Sequence, residues 1–136
     1  MRYSEGNVDV DANKLSGFFV GWPNPPSAQS LRTVLLGTPF NVLAWEGDAI
    51  VGFAYAISDG LLAAYIPLLE VRPERQREGI GSELVTRLLS MLGDIYMVDV
   101  VCDQSVVPFY ERLGMVPLAG LAQRNYGAAV LAPDRR

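Results

Sequence analysis

Between Gln76 and Ser82 the chain reads Gln-Arg-Glu-Gly-Ile-Gly-Ser, a charged turn followed by a Gly-X-Gly step. Gly79 and Gly81 carry no Cβ, so an anionic ligand can approach the backbone closely there. Downstream, Ile80, Leu84, Val85, Leu88, Leu89 and Leu92 recur at the 3.6-residue period of a helix, and Ser82, Glu83, Thr86, Arg87 and Ser90 take its other face. The N-terminus of such a helix has free N–H groups and a partial positive charge, which favour an anion. Upstream, Leu68, Leu69 and Val71 read as a buried strand that Pro73 ends. Strand, turn and helix together make a cradle for a phosphate group. The bland alternative is a surface turn whose glycines merely begin a helix.

Two familiar phosphate motifs fail on these letters. A P-loop needs a lysine directly after its last glycine, and Ser82 follows Gly81. A dinucleotide fingerprint needs a third glycine where Leu84 stands, and glycines directly after the strand, whereas Arg72 to Glu78 intervene. The chain has no histidine and one cysteine, Cys102. That removes Ser-His-Asp and Cys-His nucleophiles and zinc sites built from several Cys and His ligands. No metal site is expected. Chemistry must run on carboxylates, tyrosines, backbone amides or a bound cofactor.

The whole segment Leu-Glu-Val-Arg-Pro-Glu-Arg-Gln-Arg-Glu-Gly-Ile-Gly, with Phe109-Tyr110-Glu111-Arg112-Leu113-Gly114-Met115 downstream, resembles the two hallmarks of the GNAT-type N-acetyltransferases, in a small bacterial form. The resemblance covers about Phe40 to Leu131 and is weak before Trp22. It implies the GNAT acyl-CoA N-acyltransferase fold, a mixed, mostly antiparallel sheet flanked by helices and splayed at the cofactor. It implies acetyl-CoA as cosubstrate, its pyrophosphate held by Gln76, Arg77, Gly79, Ile80, Gly81 and Ser82, and its pantetheine lined by Leu69 and Val71. Tyr110 then points at the CoA sulfur. A departing thiolate has a pKa close to the ~8.5 of cysteine, so a phenol near ~10 can donate to it. Taken alone, Phe109 and Tyr110 read equally as core aromatics. Asp103 stands where the family often has asparagine, and it accepts hydrogen bonds but cannot donate as an amide does.

The implied reaction is direct attack of a primary amine of a small molecule on the thioester in a ternary complex, with an N–H near Val71 polarising the carbonyl. The amine must lose a proton. Glu70, Asp59, Tyr65 and Glu46 are the candidates. Glu70 is nearest in sequence, although strand alternation turns it away from Leu69 and Val71. Cys102 lies in an apolar strand end without a histidine, so it reads as a structural cysteine rather than an acetyl carrier. For the acceptor, Phe19, Trp22 and the proline loop, Asp59, and the turn Arg124-Asn125-Tyr126 are candidates, their aromatics either clasping an arylalkylamine or packing under the loop. Two other functions stay open: a non-catalytic acyl-CoA-binding or sensing domain, and a protein or peptide N-acetyltransferase.

These residues need a scaffold of one domain, 1–136, since 136 residues, half of them apolar, suffice for one core but not two. The formal charge of −4 and a single lysine, Lys14, argue against a nucleic-acid partner and favour a cationic amine weakly. With no leader and no long apolar run, no membrane partner is expected; the lone cysteine fits a cytoplasmic setting, and a homodimer stays open. In order, the expected elements are a strand within Tyr3–Val10 and a short helix from Asp11 through Phe18. A helix capped by Ser27 and stopped at Gly37 follows, then strands Phe40–Trp45 and Ala49–Ile57 joined as a hairpin. Leu61–Val71 is the strand entering the glycine turn, with a bulge or splay expected at Pro67. Ile95–Cys102 is a fifth strand and Gln104–Leu113 a helix ended by Gly114. Met115–Leu118 and Asn125–Leu131 are the last two strands. Alternating strands and helices predict a mixed α/β sheet.

Overall fold

The computed structural model describes residues 1–6 and 8–128. Five strands lie side by side in chain order: β1 (Arg2–Glu5), β2 (Asn41–Glu46), β3 (Ala49–Ser58), β4 (Ala63–Val71) and β5 (Met97–Val100). The first four are antiparallel, and β5 runs parallel to β4. A parallel neighbour needs a crossover, and helix α2 (Ile80–Met91) supplies it. Helices α1 (Ala28–Leu36) and α3 (Val107–Glu111), and tight 3-10 turns at Ala12–Leu15, Pro73–Arg75 and Gln104–Val106, complete the described elements.

Strand alternation sorts the core into two layers. On one face Leu43, Phe53 and Tyr55 pack with Leu15, Phe18, Phe19, Leu31 and Leu35 from the first turn and α1. On the other, Val42, Ala54, Ala56 and Ile66 pack under Ile80, Leu84, Leu88 and Leu92 of α2. The second face is small-sided for a reason. At Gly52 a Cβ would stand 3.1 Å from Leu84 Cδ1 and 3.0 Å from the Glu70 carbonyl oxygen, so the helix rests nearly on the backbone. Ser27 caps α1, its hydroxyl accepting from the Ser30 N–H at 3.0 Å. At the other end of α1 the Asn41 amide donates to the Leu35 and Thr38 carbonyls at 3.2 and 2.9 Å.

Pro67 behaves as its chemistry requires. Tyr55 faces Leu68 while Ile57 faces Tyr65, so Ile66 and Pro67 together oppose Ala56, a bulge. Strand β5 pairs with Ala63 to Ile66 and no further, so the two strands part where the proline stands.

Four expectations need correction. The helix from Asp11 through Phe18 is only the 3-10 turn Ala12–Leu15; Asp11 makes no side-chain cap, and Gly17 at φ 86° breaks the helix. The fifth strand is shorter than Ile95–Cys102. Met115–Leu118 joins no ladder among the described residues; Pro117 has no N–H to give, and Val116 and Leu118 are exposed. At Asn125–Leu131, residues 125–128 form a turn closed by the Ala128 N–H on the Asn125 carbonyl; residues 129–131 lie outside the described residues.

Candidate active site

The glycine turn is shaped by two left-handed residues, Arg77 at φ 65° and Gly79 at φ 85°. For arginine this region costs about 1–2 kcal/mol, whereas glycine enters freely. Gly79 is the N-cap of α2, and no side chain caps the helix. Its first N–H groups therefore lack an intrahelical partner. A Cβ on Gly79 would meet nothing within 4 Å, and one on Gly81 would touch the Phe109 ring at 3.6 Å and Val71 at 3.8 Å. The Gln76 amide donates to the Val71 carbonyl at 3.1 Å, tying the turn to the strand end. Arg75 is paired with Glu46 and Glu78. Ser82 follows in the first turn of α2, half-buried, and Leu69 and Val71 pack partly buried on the α2 face of the sheet.

Helix α3 lies beside the start of α2, its Phe109 ring next to Gly81. Pro108 sits in its first turn, where its missing N–H costs nothing. Tyr110 is buried, its ring edge-on to Phe109 with centroids 4.9 Å apart. Burial, with Cys102 beside it, pushes the Tyr110 phenol up to about 12, so it stays protonated at any physiological pH. Asp103 is exposed; its carboxylate makes no cap to the turn it precedes, and its carbonyl accepts from the Val106 N–H. Cys102 is half-buried just past β5.

Glu70 lies opposite Phe53 and so points to the α1 face, away from Leu69 and Val71. Its Oε1 accepts the backbone N–H of Phe19 at 2.8 Å. Its Oε2 is buried without a protein partner among the described residues. Burial raises the carboxyl above the ordinary range, opposed by the Phe19 N–H. Phe19 itself sits at φ 64°, its ring packed on Phe53 and edge-on to Trp22 at 4.9 Å. Trp22 in turn lines a cavity of about 390 Å³ with Gly21, Pro23, Asn24, Arg124 and Tyr126. The Asn24 amide closes it by donating to the Tyr126 carbonyl at 3.3 Å.

Of the acceptor-side residues, Trp22 and Tyr126 thus share one cavity, and Asp59 does not join them. Asp59 sits at the β3–β4 turn, where Oδ1 accepts from the N–H groups of Leu61, Leu62 and Ala63, a contact that lowers its pKa. A larger hollow of about 560 Å³ lies on the outer side of the α2 start, but both its arginines, Arg75 and Arg87, are already paired with glutamates.

With this geometry in place, the family comparison decides the class: residues 12–130 match the model of the acetyltransferase (GNAT) domain. The chain belongs to the GNAT acetyltransferase family. It is similar to a crystal structure of a candidate acetyltransferase from Deinococcus radiodurans R1, with 46% identity and a TM-score of 0.90 over 96% of this chain and 94% of that one. The GNAT family acetyltransferase SP0256 of Streptococcus pneumoniae TIGR4 superposes with a TM-score of 0.73 at 27% identity over 91% and 96% of the two chains. GCN5-related N-acetyltransferase 2, chloroplastic, of Arabidopsis thaliana is 30% identical over 82% of this chain. The chain spans 52% of the length of that curated relative. The GNAT match begins at residue 12, earlier than the Phe40 boundary that the motifs suggested.

Two features of this GNAT site escaped sequence reasoning. Arg72 reaches across from β4, and the backbone of Phe19 serves as a hydrogen-bond donor. An arginine at an apolar strand end, with Gly17 and two phenylalanines far upstream, was the only trace; left-handed φ at a phenylalanine leaves none. Among the described residues no helix is long and apolar enough to cross a membrane, and no group of acidic, Cys or His side chains could hold a metal.

Proposed function

We propose that this GNAT domain transfers an acetyl group from acetyl-CoA to a primary amine of a small molecule, by direct attack in a ternary complex. The observation that carries the reading is the buried, half-satisfied carboxylate of Glu70, held by the N–H of Phe19, whose ring packs edge-on to Trp22 of the aromatic cavity.

The residues present suit acetyl-CoA. The uncapped α2 start, with Gly79 facing open space, fits a diphosphate, and Arg77, Ile80, Gly81 and Ser82 supply the neighbouring main chain. Gln76 contributes by holding the turn against Val71. The parting of β4 and β5 after Ile66 leaves the strand end at Leu69 and Val71 available to a pantetheine arm, with Asp103 near its far side. When bound, acetyl-CoA supplies an activated acyl group on a good leaving thiolate.

Glu70 takes the proton of the incoming ammonium at Oε2, the oxygen without a partner, while Oε1 stays on the Phe19 N–H. A raised carboxyl is the better base for this, since its pKa moves toward that of the amine it must deprotonate. Tyr110, held protonated, donates its phenolic hydrogen to the sulfur as negative charge develops there. Trp22 and Tyr126 present flat apolar surface to the body of the acceptor, and Asp59 is left to its turn.

The test is thiol release from acetyl-CoA with a panel of arylalkyl, alkyl and polyamine acceptors and lysine peptides. Turnover is expected with small primary amines. Tight CoA binding with no turnover on any amine would establish a binding module instead, and turnover confined to peptides would move the acceptor to protein.

A further inference from the structure

Glu70 and the N–H that holds it belong to segments 51 residues apart in sequence. Nothing in β4 alone keeps the Phe19 backbone on that carboxylate. The tie runs through Arg72, two residues further on and just past the end of β4. Its Nε donates to the Ile50 carbonyl at 2.7 Å, and its Nη2 donates to the Ser16 carbonyl at 2.8 Å. Its guanidinium lies over the Phe18 ring, 4.4 Å from the centroid. Its own N–H is fixed to the Val51 carbonyl at 2.8 Å. Gly17 is cut to fit: a Cβ there would stand 2.6 Å from Arg72 Nη1. The planar fork therefore clamps residues 16–18 onto the sheet just before Phe19, the residue held in a left-handed conformation.

We propose that Arg72 is a positioning residue for the acid–base step: it pins the 16–19 segment so that the Phe19 N–H stays on Glu70 Oε1 and leaves Oε2 as the unpaired oxygen that takes the proton. This rests on the reading of Glu70 as the base. The titratable and charged groups on the same side, among the described residues, include Tyr55 of β3, Tyr65 of β4, Arg32 of α1 and Lys14 of the first 3-10 turn; Arg32 Nε donates to the Val10 carbonyl at 2.9 Å, and the Lys14 ammonium donates to the Asp48 carbonyl at 2.7 Å. Loss of the clamp frees the Phe19 N–H, and a carboxylate that loses a donor binds its proton more tightly.

The experiment compares wild type with Arg72→Met, and with Glu70→Gln and the double variant, in three readouts. They are the pH profile of kcat/KM, the affinity for acetyl-CoA, and the carboxyl titration of Glu70 by carbon-13 NMR. In Arg72→Met the Glu70 titration and the acid limb of the profile should move up together, by about one pH unit. Activity then falls about tenfold below that limb and is unchanged above it, with acetyl-CoA affinity within about twofold of wild type. In the Glu70→Gln background the Arg72 change should cost little more. An unmoved Glu70 titration, or a loss equal at every pH, overturns the proposal. Full activity in Glu70→Gln would overturn the base reading alone, because the NMR titration still reports whether Arg72 positions Glu70. Should Arg72→Met fail to fold, Arg72→Lys keeps the charge but loses the planar fork that spans the Ile50 and Ser16 carbonyls, and the same upward shift is expected.

Discussion

At the residue scale burial raises both of the proposed acid–base groups, keeping Tyr110 a proton donor and making Glu70 a stronger base. Tyr110 is raised to about 12 and so remains a donor throughout the working range. Tyr110→Phe should slow turnover by the same factor at every pH, about 10²-fold since the thiolate is a fair leaving group unaided, with acetyl-CoA affinity nearly unchanged. A loss that disappears at high pH would mean that the tyrosine titrates in the working range, against its burial. Glu70 makes a prediction about stability as well. Its folded pKa lies above its unfolded one, so relative to the unfolded chain the folded state favours the protonated form. That contribution is present below the unfolded pKa and is lost as pH rises through the folded one. Glu70→Gln keeps the oxygen that accepts from Phe19 and removes the buried charge. The variant should therefore melt higher than wild type at pH 8, the gap closing as pH drops through the carboxylate range, while kcat falls. A lower Tm at pH 8 would show that the carboxylate is better satisfied than its lone Oε1 contact implies.

At the element scale the strand–turn–helix unit separates shape from function. Gly81 lies in the first turn of α2 and a Cβ there would make ordinary contacts with Phe109 and Val71. Gly81→Ala should then hold or raise stability, by up to about 1 kcal/mol from helix propensity, yet weaken acetyl-CoA binding at least about tenfold if the diphosphate must reach that backbone. Gly79→Ala has open space around it but must adopt φ 85°, so it should lose about 1–2 kcal/mol. Paired melting curves and CoA titrations check both; unchanged affinity in Gly81→Ala would remove the phosphate from this turn. The same unit shows why part of the fold was readable. Helix α2, the Ser27 cap, the β2–β3 hairpin and the Pro67 bulge are each written in local chemistry, as periodicity, a hydroxyl, a turn glycine and a missing N–H. The errors fall where local signals conflict with partners far away. Val116 and Leu118 look like strand residues, but Pro117 sits between them, and among the described residues they join no ladder. Asp59 looks like a free carboxylate, but three N–H groups of its own turn occupy it. Arg72 is an exposed charge by type, and only the folded chain reveals the carbonyls that it ties together.

At the scale of the whole molecule the sheet divides the labour. Glu70 and Phe19 lie toward the α1 face, Leu69, Val71 and α2 pack on the other, and β4 and β5 part beyond Ile66; in the proposed reaction the two substrates would meet through that gap. A ligand filling that gap would join β4, α2 and α3, which β-ladder hydrogen bonds leave apart there. Binding to the folded state alone stabilises by about 2.7 kcal/mol at a hundredfold excess over Kd. For a chain of this size that is roughly 10 °C in Tm. Acetyl-CoA should produce a rise of that order. Acetyl-pantetheine, which keeps the thioester and arm but lacks the diphosphate, should give a distinctly smaller one at the same concentration. The difference reports what the nucleotide end contributes, the diphosphate and adenosine together, because both ligands share the arm that would fill the strand gap and reach Tyr110. Equal shifts from the two ligands would mean that the arm alone is recognised, and that the glycine turn is a helix start with no grip on phosphate.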